Sequence, residues 1–271
     1  MLIAQKRTKN AVFLCCLVFL VACTSNPMQE EVIIFAASSL TESFTELETS
    51  FELVYPGVDV VLNFGSSATL LTQIQDSSRA DVFASADLDH IQVLIDEGLV
   101  SQRDSSVFAA NEMLVVLPSS NTAIIAKIED LASPGLRIVM ALPEVPAGAY
   151  ARQTIAALDT ELGPGFEEAL LMNLVSSEDN VRQVLLKVEL GEADAGIVYS
   201  TDALATKDLG TISIPEAFQP GVLYSMGILK EARNGVNAQA FFDFVLSEKG
   251  QAILQSWGFL AAESLDRTVV E

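Results

Sequence analysis

The segment Val32-Ile33-Ile34-Phe35-Ala36-Ala37-Ser38-Ser39-Leu40-Thr41 indicates how the chain folds. Its first six residues are an apolar run that stops at two serines, which is typical of a strand buried in a parallel sheet. Apolar residues then recur three and four positions apart as far as Val54, which predicts a helix that Pro56-Gly57 ends. Ser39 and Glu42 match a capping box, so the helix is predicted to begin at Ser39.

The same strand-to-helix unit recurs twice more in the first part of the chain. A strand at 58–64 leads through Gly65-Ser66-Ser67 into a helix, and a strand at 81–85 leads through Asp87 into another. Strands that alternate with helices in this way specify a mainly parallel sheet with helices on its faces. The chain is therefore predicted to begin with an α/β lobe.

After a strand at 113–117 that Pro118 closes, a second series of such units begins. The further predicted strands are 113–117, 136–141, 195–199 and 222–229, and helices are predicted to begin at Pro146-Ala147-Gly148 and at Asn180-Val181. This pattern predicts an α/β protein of two lobes, connected near 112–118 and 222–229. We expect lobe 1 to comprise residues 32–112 and 225–271, and lobe 2 to comprise residues 113–224.

The N-terminus has the pattern of a secretory signal. Three basic residues precede an apolar stretch at 11–22, which is shorter than the roughly 20 residues that span a bilayer. The stretch ends in Leu20-Val21-Ala22-Cys23, which resembles a lipobox, in which the cysteine is lipidated. We therefore expect a lipoprotein signal peptide at 1–22, a lipidated tether at 23–31, and an exported protein anchored to the outer face of the cell membrane or periplasmic. An ordinary signal peptide with an incidental cysteine is the alternative.

The composition excludes several functional classes. With 15 Lys+Arg against 36 Asp+Glu, the formal charge is -21, so no basic surface for nucleic acid is expected. Half of the residues are hydrophobic, which excludes a disordered chain. The three cysteines are at positions 15, 16 and 23, and there is one histidine. We therefore expect no disulfide framework, no cofactor and no metal coordinated directly by side chains.

Four predicted helix starts share small, uncharged residues: Ser39, Ser67, Pro146-Ala147-Gly148 and Asn180-Val181. A helix start offers unpaired amides and a partial positive charge, which suits an anion. In α/β sheets, ligands bind at the carboxyl ends of the strands, where these starts are predicted to lie. Each start alone also fits an ordinary helix cap, so the interpretation depends on all four occurring together.

Six segments, taken in order, resemble the molybdate-binding proteins of ABC transporters. They are Phe35–Thr41, Phe64–Leu70, Ala80–Asp87, Val145–Ala151, Glu178–Gln183 and Gly196–Tyr199. The resemblance extends from Val32 to Phe259 and implies a type II periplasmic-binding fold, with two lobes that close over a ligand in the cleft. It further implies a binding protein rather than an enzyme, with molybdate or tungstate as its ligand and an ABC permease as its partner. We expect a monomer.

In that family, two serines, two backbone amides and one tyrosine hold the oxyanion. Carried onto this sequence, the resemblance implies Ser39 and Ser67 through hydroxyl and amide, Ala147 and Val181 through their amides, and the Tyr199 hydroxyl. Ser38 is an alternative to Ser39. These groups are neutral hydrogen-bond donors, so a fully deprotonated tetrahedral dianion satisfies them. A protonated phosphate instead carries an O–H that finds no acceptor.

Two other functions fit parts of the sequence. The first keeps the fold and binds another oxyanion, such as sulfate or phosphate. The second is a secreted serine hydrolase using Ser39 or Ser67, but neither serine lies in a Gly-x-Ser-x-Gly motif. The one histidine, His90, is expected on the solvent-exposed face of its helix. Arg182 is expected on a helix surface or behind the site rather than against the ligand.

Overall fold

A computed structural model describes residues 30–206 and 208–262, and this part of the chain contains two five-stranded sheets. The strands are β1 (Glu30–Ala37), β2 (Val58–Gly65), β3 (Val82–Ser85), β4 (Val100–Asn111), β5 (Met113–Leu117), β6 (Ile138–Ala141), β7 (Leu174–Glu178), β8 (Ala195–Tyr199), β9 (Gly210–Ser213) and β10 (Val222–Leu229). The helices are α1 (Thr41–Val54), α2 (Ser67–Gln75), α3 (Asp89–Asp96), α4 (Pro146–Leu162), α5 (Phe166–Met172), α6 (Val181–Glu189), α7 (Ser200–Leu204), α8 (Gly235–Leu246) and α9 (Glu248–Ser256).

The two sheets share one topology. The first has the strand order β2-β1-β3-β10-β4, and the second has the order β7-β6-β8-β5-β9. In the first sheet β1 is parallel to β2 and β3, whereas β10 is antiparallel to β3 and β4. In the second sheet β5 is the reversed strand, antiparallel to β8 and β9. Four of the five strands in each sheet therefore point the same way, as the alternation of strands and helices predicts.

The chain crosses between the sheets twice, from β4 to β5 and from β9 to β10. The predicted division at 112/113 falls between β4 and β5, whereas the one at 224/225 falls inside β10. This strand belongs wholly to the first sheet, because it pairs with β4 from Val222 onward. The predicted tether at 23–31 likewise overlaps β1, since Glu30 and Glu31 already pair with β2.

The strands that the sequence did not predict lie at sheet edges. β4 is one edge of the first sheet, and β7 and β9 are the two edges of the second. Residues 101–107 of β4 are half-buried or exposed and mostly polar, so no apolar run marks this strand. An edge strand has a neighbour on one side only, and its side chains need not be apolar.

The start of α1 also differs from the prediction. Ser38–Leu40 forms a 3-10 turn, and α1 begins at Thr41 without a side-chain cap. The Ser39 hydroxyl hydrogen-bonds with the Tyr224 hydroxyl, and the Glu42 carboxylate pairs with Arg182. The predicted capping box is therefore wrong, because both of its side chains make tertiary contacts instead of local ones.

Aromatic packing holds the helices of the first lobe on their sheet. The Phe44 and Phe51 rings of α1 lie 6.1 and 5.4 Å from the ring of Phe241 in α8. Phe44 also contacts Phe108 of β4, with the ring centroids 5.9 Å apart. These four rings are fully buried. The packing fixes α1, and with it the turn that carries Ser38 and Ser39.

Close backbone contact holds the start of α4 against the end of β6. A Cβ atom at Gly148 would lie 2.0 Å from the carbonyl oxygen of Leu142 and 2.4 Å from that of Ala141. Arg152, one turn further along, donates hydrogen bonds to the carbonyls of Ala141 and Gly148 at 3.0 and 2.9 Å. Only glycine fits at position 148, and its fit determines where the amide of Ala147 lies.

Gly148→Ala should lower the free energy of unfolding by about 1–3 kcal/mol, because the added methyl group overlaps backbone atoms that cannot rotate away. Gly235→Ala is the matched control, since Gly235 also lies in the first turn of a helix and no described atom would come within 4 Å of its Cβ. The control should change stability by less than about 0.5 kcal/mol. Urea denaturation measures both, and equal midpoints for the two variants would contradict this account of α4.

Candidate functional site

A small cavity lies between the carboxyl ends of strands from the two sheets. Its lining residues are Ala37, Ser38, Ser39, Gly65, Ser66, Ser67, Ala86, Val145, Pro146, Ala147, Val181 and Tyr199. The volume open to the centre of a water molecule is about 10 Å³, close to that of one water-sized sphere. The cavity is therefore suited to one small ligand and is enclosed by residues of both sheets.

The structure brings all the predicted ligand residues to this cavity. Ser39, Ser67, Ala147, Val181 and Tyr199 line it, and so does the alternative residue Ser38. The lipidation residue Cys23 and the signal peptide at 1–22 lie outside the described residues. The helix starts of two sheets thus meet at one point, although the predicted residues are spread over 160 positions of sequence.

On the side of the first sheet, the Ser67 hydroxyl is held by a backbone donor. Ser67 is the first residue of α2, and the Ser66 side chain caps this helix by accepting a hydrogen bond from the amide of Thr69 at 3.2 Å. The Ser67 Oγ accepts a hydrogen bond from the amide of Ala86 at 3.1 Å. Because a backbone amide only donates, the Ser67 hydroxyl hydrogen is left for an acceptor in the cavity.

The two serines of the β1–α1 turn have different surroundings. The Ser39 Oγ lies 2.9 Å from the hydroxyl oxygen of Tyr224, a residue behind the cavity wall. The carbonyl of Ser38 accepts hydrogen bonds from Thr41 Oγ1 at 2.6 Å and from Arg182 Nε at 3.2 Å. Sequence reasoning did not find Tyr224, because a partner 185 positions away leaves no local pattern.

On the side of the second sheet, two helix starts supply backbone amides. Ala147 is the second residue of α4, after Pro146, and Val181 is the first residue of α6. Helix geometry gives the amides of the first turn no acceptor within the helix. The Asn180 side chain caps α6 by accepting from the amide of Gln183 at 3.1 Å. The amides of Ala147 and Val181 are therefore positioned as donors at the cavity wall.

Tyr199 contributes a hydroxyl without a partner. Its side chain is fully buried at the end of β8, and the hydroxyl oxygen has no hydrogen-bond partner among the described residues. Burial raises the pKa of Tyr199 well above its ordinary value of 10.0, and the nearby Tyr224 raises it further. The phenol therefore keeps its proton at any physiological pH. An acceptor in the cavity would satisfy a buried polar atom that is otherwise costly.

Arg182 lies behind the cavity and connects the two sheets. It forms an ion pair with Glu42 of α1, and its Nε lies 3.1 Å from Oδ1 of Asp202 in α7. Asp202 is fully buried; burial raises the pKa of its carboxyl group to about 7, although Arg182 acts to lower it and Glu42 adds to the rise. Arg182 is absent from the cavity lining, in agreement with the expected position behind the site.

His90 does not lie where the sequence suggested. Only 13% of its side chain is exposed, and its Nδ1 lies 2.7 Å from Oδ2 of Asp87. The other carboxylate oxygen of Asp87 accepts a hydrogen bond from the Ser85 hydroxyl at 2.8 Å. The expectation of a solvent-exposed histidine is wrong, because the preceding Asp87 draws the ring onto itself. The hydroxyl partners given above for Ser39 and Ser67 do not include His90, so this structure offers no basis for a serine hydrolase.

The amino-acid sequence matches a known protein family and individual members of it. The family model described as bacterial extracellular solute-binding protein matches residues 32–260. The chain is also 36% identical over 251 residues to the molybdate-binding protein ModA of Mycobacterium tuberculosis, and the match covers 89% of this chain and 92% of that protein. The similarity therefore spans both sheets and every lining residue of the cavity.

Solved structures show the same fold. The periplasmic molybdate-binding protein of Azotobacter vinelandii matches with a TM-score of 0.74 and 21% identity, covering 84% of this chain and 98% of that chain. The sulfate-binding protein SubI of Mycobacterium tuberculosis matches with a TM-score of 0.76 and 18% identity, covering 88% of this chain and 89% of that chain. The predicted two-lobed α/β fold of the type II periplasmic-binding arrangement is thereby confirmed.

The free energy of unfolding should depend on the protonation of Asp202. The ordinary pKa of an aspartate is 3.8, and that of Asp202 in the folded protein is about 7. Between these two pH values, the folded protein holds a proton on Asp202 that the unfolded chain has released. The contribution of Asp202 to the free energy of unfolding should therefore fall as the pH rises through this range. Asp202→Asn removes this contribution, so the variant should gain stability relative to the wild type by up to about 1.4 kcal/mol per pH unit.

Urea denaturation across this pH range measures the difference between the two proteins. Asp243→Asn is the control, because it removes a carboxylate from an exposed position in α8. Its stability should follow that of the wild type at every pH. If the curve for Asp202→Asn also ran parallel to that of the wild type, the role of the buried carboxyl group would be refuted.

Proposed function

The chain belongs to the bacterial extracellular solute-binding protein family, and from this premise we propose that it captures molybdate outside the membrane and delivers it to an ABC permease. It is a binding protein and not an enzyme, as are its ModA relatives. The observation that carries the proposal is the small cavity whose lining brings uncharged donors from both sheets together. Among these donors, the buried Tyr199 hydroxyl has no partner in the described part of the chain.

The proposed ligand contacts are the hydroxyls and amides of Ser39 and Ser67, the amides of Ala147 and Val181, and the hydroxyl of Tyr199. Such donors suit an anion, and at a helix start they add the partial positive charge of the peptide dipoles. A fixed cationic side chain is unnecessary, because each hydrogen bond to a charged acceptor is stronger than a neutral one. A metal oxyanion would thus be bound through its oxygens, with no protein side chain on the metal.

The donor-only lining also supports a choice among oxyanions. Molybdate and tungstate are fully deprotonated dianions at neutral pH, with the same shape and charge, so we propose that both bind. Inorganic phosphate keeps at least one proton at this pH and needs an acceptor for it, whereas the backbone amides at the wall offer none and the Ser67 oxygen already accepts from Ala86. Sulfate carries no proton, so its exclusion depends on the size of the cavity.

We propose that ligand capture involves closure of the two lobes, which divide between β4 and β5 and between β9 and β10. The Glu42–Arg182 ion pair joins them in the closed arrangement. All lining residues come from a single chain, which supports a monomer as the active form.

We propose that Cys23 is lipidated and tethers the protein to the outer face of the membrane. The lipobox-like sequence at 20–23 supports this anchor. Among residues 30–206 and 208–262, no helix has the length and apolar character that a membrane crossing requires. Attachment through the lipid would leave both lobes and the cavity outside the membrane.

Isothermal titration calorimetry with molybdate, tungstate, sulfate and phosphate tests the proposed ligand. Molybdate and tungstate should each bind at least roughly tenfold more tightly than sulfate. Phosphate should bind least tightly, because it alone carries an O–H that needs an acceptor at the cavity wall. Sulfate binding as tight as molybdate binding would move the protein to the alternative class of sulfate receptors.

Single substitutions test the proposed contacts. Ser39→Ala, Ser67→Ala and Tyr199→Phe should each weaken molybdate binding roughly ten- to hundredfold, since each removes a hydrogen bond to a charged ligand. Tyr199→Phe should leave the stability of the ligand-free protein intact, because its hydroxyl has no partner to lose.

Ser43→Ala is the matched control for the serine variants. Ser43 is also buried near the start of α1, but its hydroxyl donates to the carbonyl of Leu40 and lies outside the cavity lining. Its affinity for molybdate, measured by the same calorimetry, should remain at the wild-type value. Equal losses in the control and in the three site variants would show that the effect is general and that the contacts lie elsewhere.

A further inference from the structure

The hydroxyl of Tyr224 lies behind the cavity and contacts the ligand-facing Ser39. We propose that Tyr224 is a positioning residue that commits the Ser39 hydroxyl to donation, so that the site discriminates against protonated oxyanions. This inference rests on the proposed function and extends it to a residue outside the cavity lining.

A chain of hydrogen bonds sets the direction of donation. The amide nitrogen Nδ2 of Asn111 lies 3.3 Å from the Tyr224 hydroxyl oxygen, which lies 2.9 Å from Ser39 Oγ. An amide nitrogen only donates, so Tyr224 accepts from Asn111. The Ser39 oxygen is the other hydrogen-bond partner of the Tyr224 hydroxyl among the described residues, so we assign the single hydrogen of Tyr224 to Ser39. The amide orientation of Asn111 is itself fixed, because its Oδ1 accepts from the backbone amide of Glu112 at 2.9 Å.

The consequence for Ser39 follows from counting its hydrogens. With Tyr224 donating to its oxygen, the hydroxyl hydrogen of Ser39 is left for an acceptor in the cavity that Ser39 lines. The Ser67 oxygen likewise accepts a hydrogen bond, from the amide of Ala86, so the Ser67 hydroxyl hydrogen is also left for an acceptor in the cavity. Both serines therefore offer hydrogens to the ligand, and on each hydroxyl oxygen one of the two lone pairs is already occupied by a hydrogen bond from the protein.

The surroundings of Tyr224 keep its hydroxyl neutral and its ring in place. The side chain is fully buried, and burial raises its pKa well above the ordinary value of 10.0. Its ring packs against those of Tyr199, Phe108 and Phe259, with centroids 5.7, 6.1 and 5.3 Å away. Removing the hydroxyl alone would leave this packing intact. The Ser39 hydroxyl would then be free to rotate and to accept as well as donate.

Tyr224→Phe is the test, with molybdate and inorganic phosphate as the two probes at neutral pH. Molybdate affinity should fall roughly three- to tenfold, because the orientation of one donor is lost. Phosphate affinity, measured by competition with molybdate, should fall less or rise, because the lone pair of Ser39 that Tyr224 occupied becomes open to the phosphate O–H. The ratio of molybdate affinity to phosphate affinity should therefore fall by at least roughly threefold, which is the narrowing that the other variants are compared with.

Double variants separate positioning from a general structural effect. In the Ser39→Ala background, Tyr224→Phe should leave the affinity ratio unchanged, because the residue through which it acts is gone. In the Ser67→Ala background, the same substitution should still narrow the ratio. A ratio that does not change in the single variant, or that changes equally in the Ser39→Ala background, overturns the inference.

Two further measurements keep the test decisive. If the unfolding midpoint shows that Tyr224→Phe folds poorly, Asn111→Asp replaces it, since this variant keeps the Oδ1 acceptor and removes the Nδ2 donor that commits Tyr224. The ratio should narrow in the same direction, and an unchanged ratio overturns the inference. The wild type is titrated first: if it binds molybdate no more tightly than sulfate, the proposed function fails and the inference fails with it. A normal wild-type preference with an unaltered Tyr224→Phe ratio overturns the inference alone.

Discussion

The hydrogen bonds behind the cavity determine what the cavity offers to a ligand. A serine hydroxyl can donate or accept, so a serine at the wall does not by itself specify an anion. Here a backbone amide occupies the oxygen of Ser67, and the Tyr224 hydroxyl bonds to that of Ser39. The Tyr199 phenol is kept protonated by burial. Each of these three residues therefore has a hydroxyl hydrogen available for an acceptor in the cavity.

Such a lining explains how a strongly acidic protein can hold an anion. The formal charge is -21, yet three carboxyl groups next to cavity-forming segments contact cationic side chains. Arg182 contacts both Glu42 and Asp202, and the Nζ of Lys187 lies 2.7 Å from Glu178. Salt screens the remaining surface charges beyond about 8 Å. The peptide dipoles at contact distance, rather than the net charge, then dominate the field that the ligand meets.

Sequence patterns predicted the buried elements well and the tertiary contacts poorly. Interior strands and amphipathic helices must be apolar on defined faces, so β1, β3 and β8 were visible as apolar runs, whereas the half-exposed edge strand β4 was not. The helix starts at Ser67 and Val181 follow from local chemistry and were found where predicted. Ser39 was assigned to a local cap because its partner, Tyr224, is distant in sequence. The same limitation applies to His90, since its exposure depends on how Asp87 is placed.

Asn111 links the two sides of the site, because it lies at the end of β4 where the chain crosses between the sheets. Its side chain bonds to Tyr224 in the first sheet, and also to the hydroxyls of Ser200 and Thr201, each at 2.9 Å, directly after Tyr199 in the second. One amide therefore supports the donor behind Ser39 and holds the segment that follows Tyr199. The bonds to Ser200 and Thr201 join the two sides of the site, whereas the bond to Tyr224 lies within the first sheet. The donor behind Ser39 is thus oriented within the first sheet, and the same amide anchors the segment after Tyr199, so two of the proposed ligand contacts share one supporting residue.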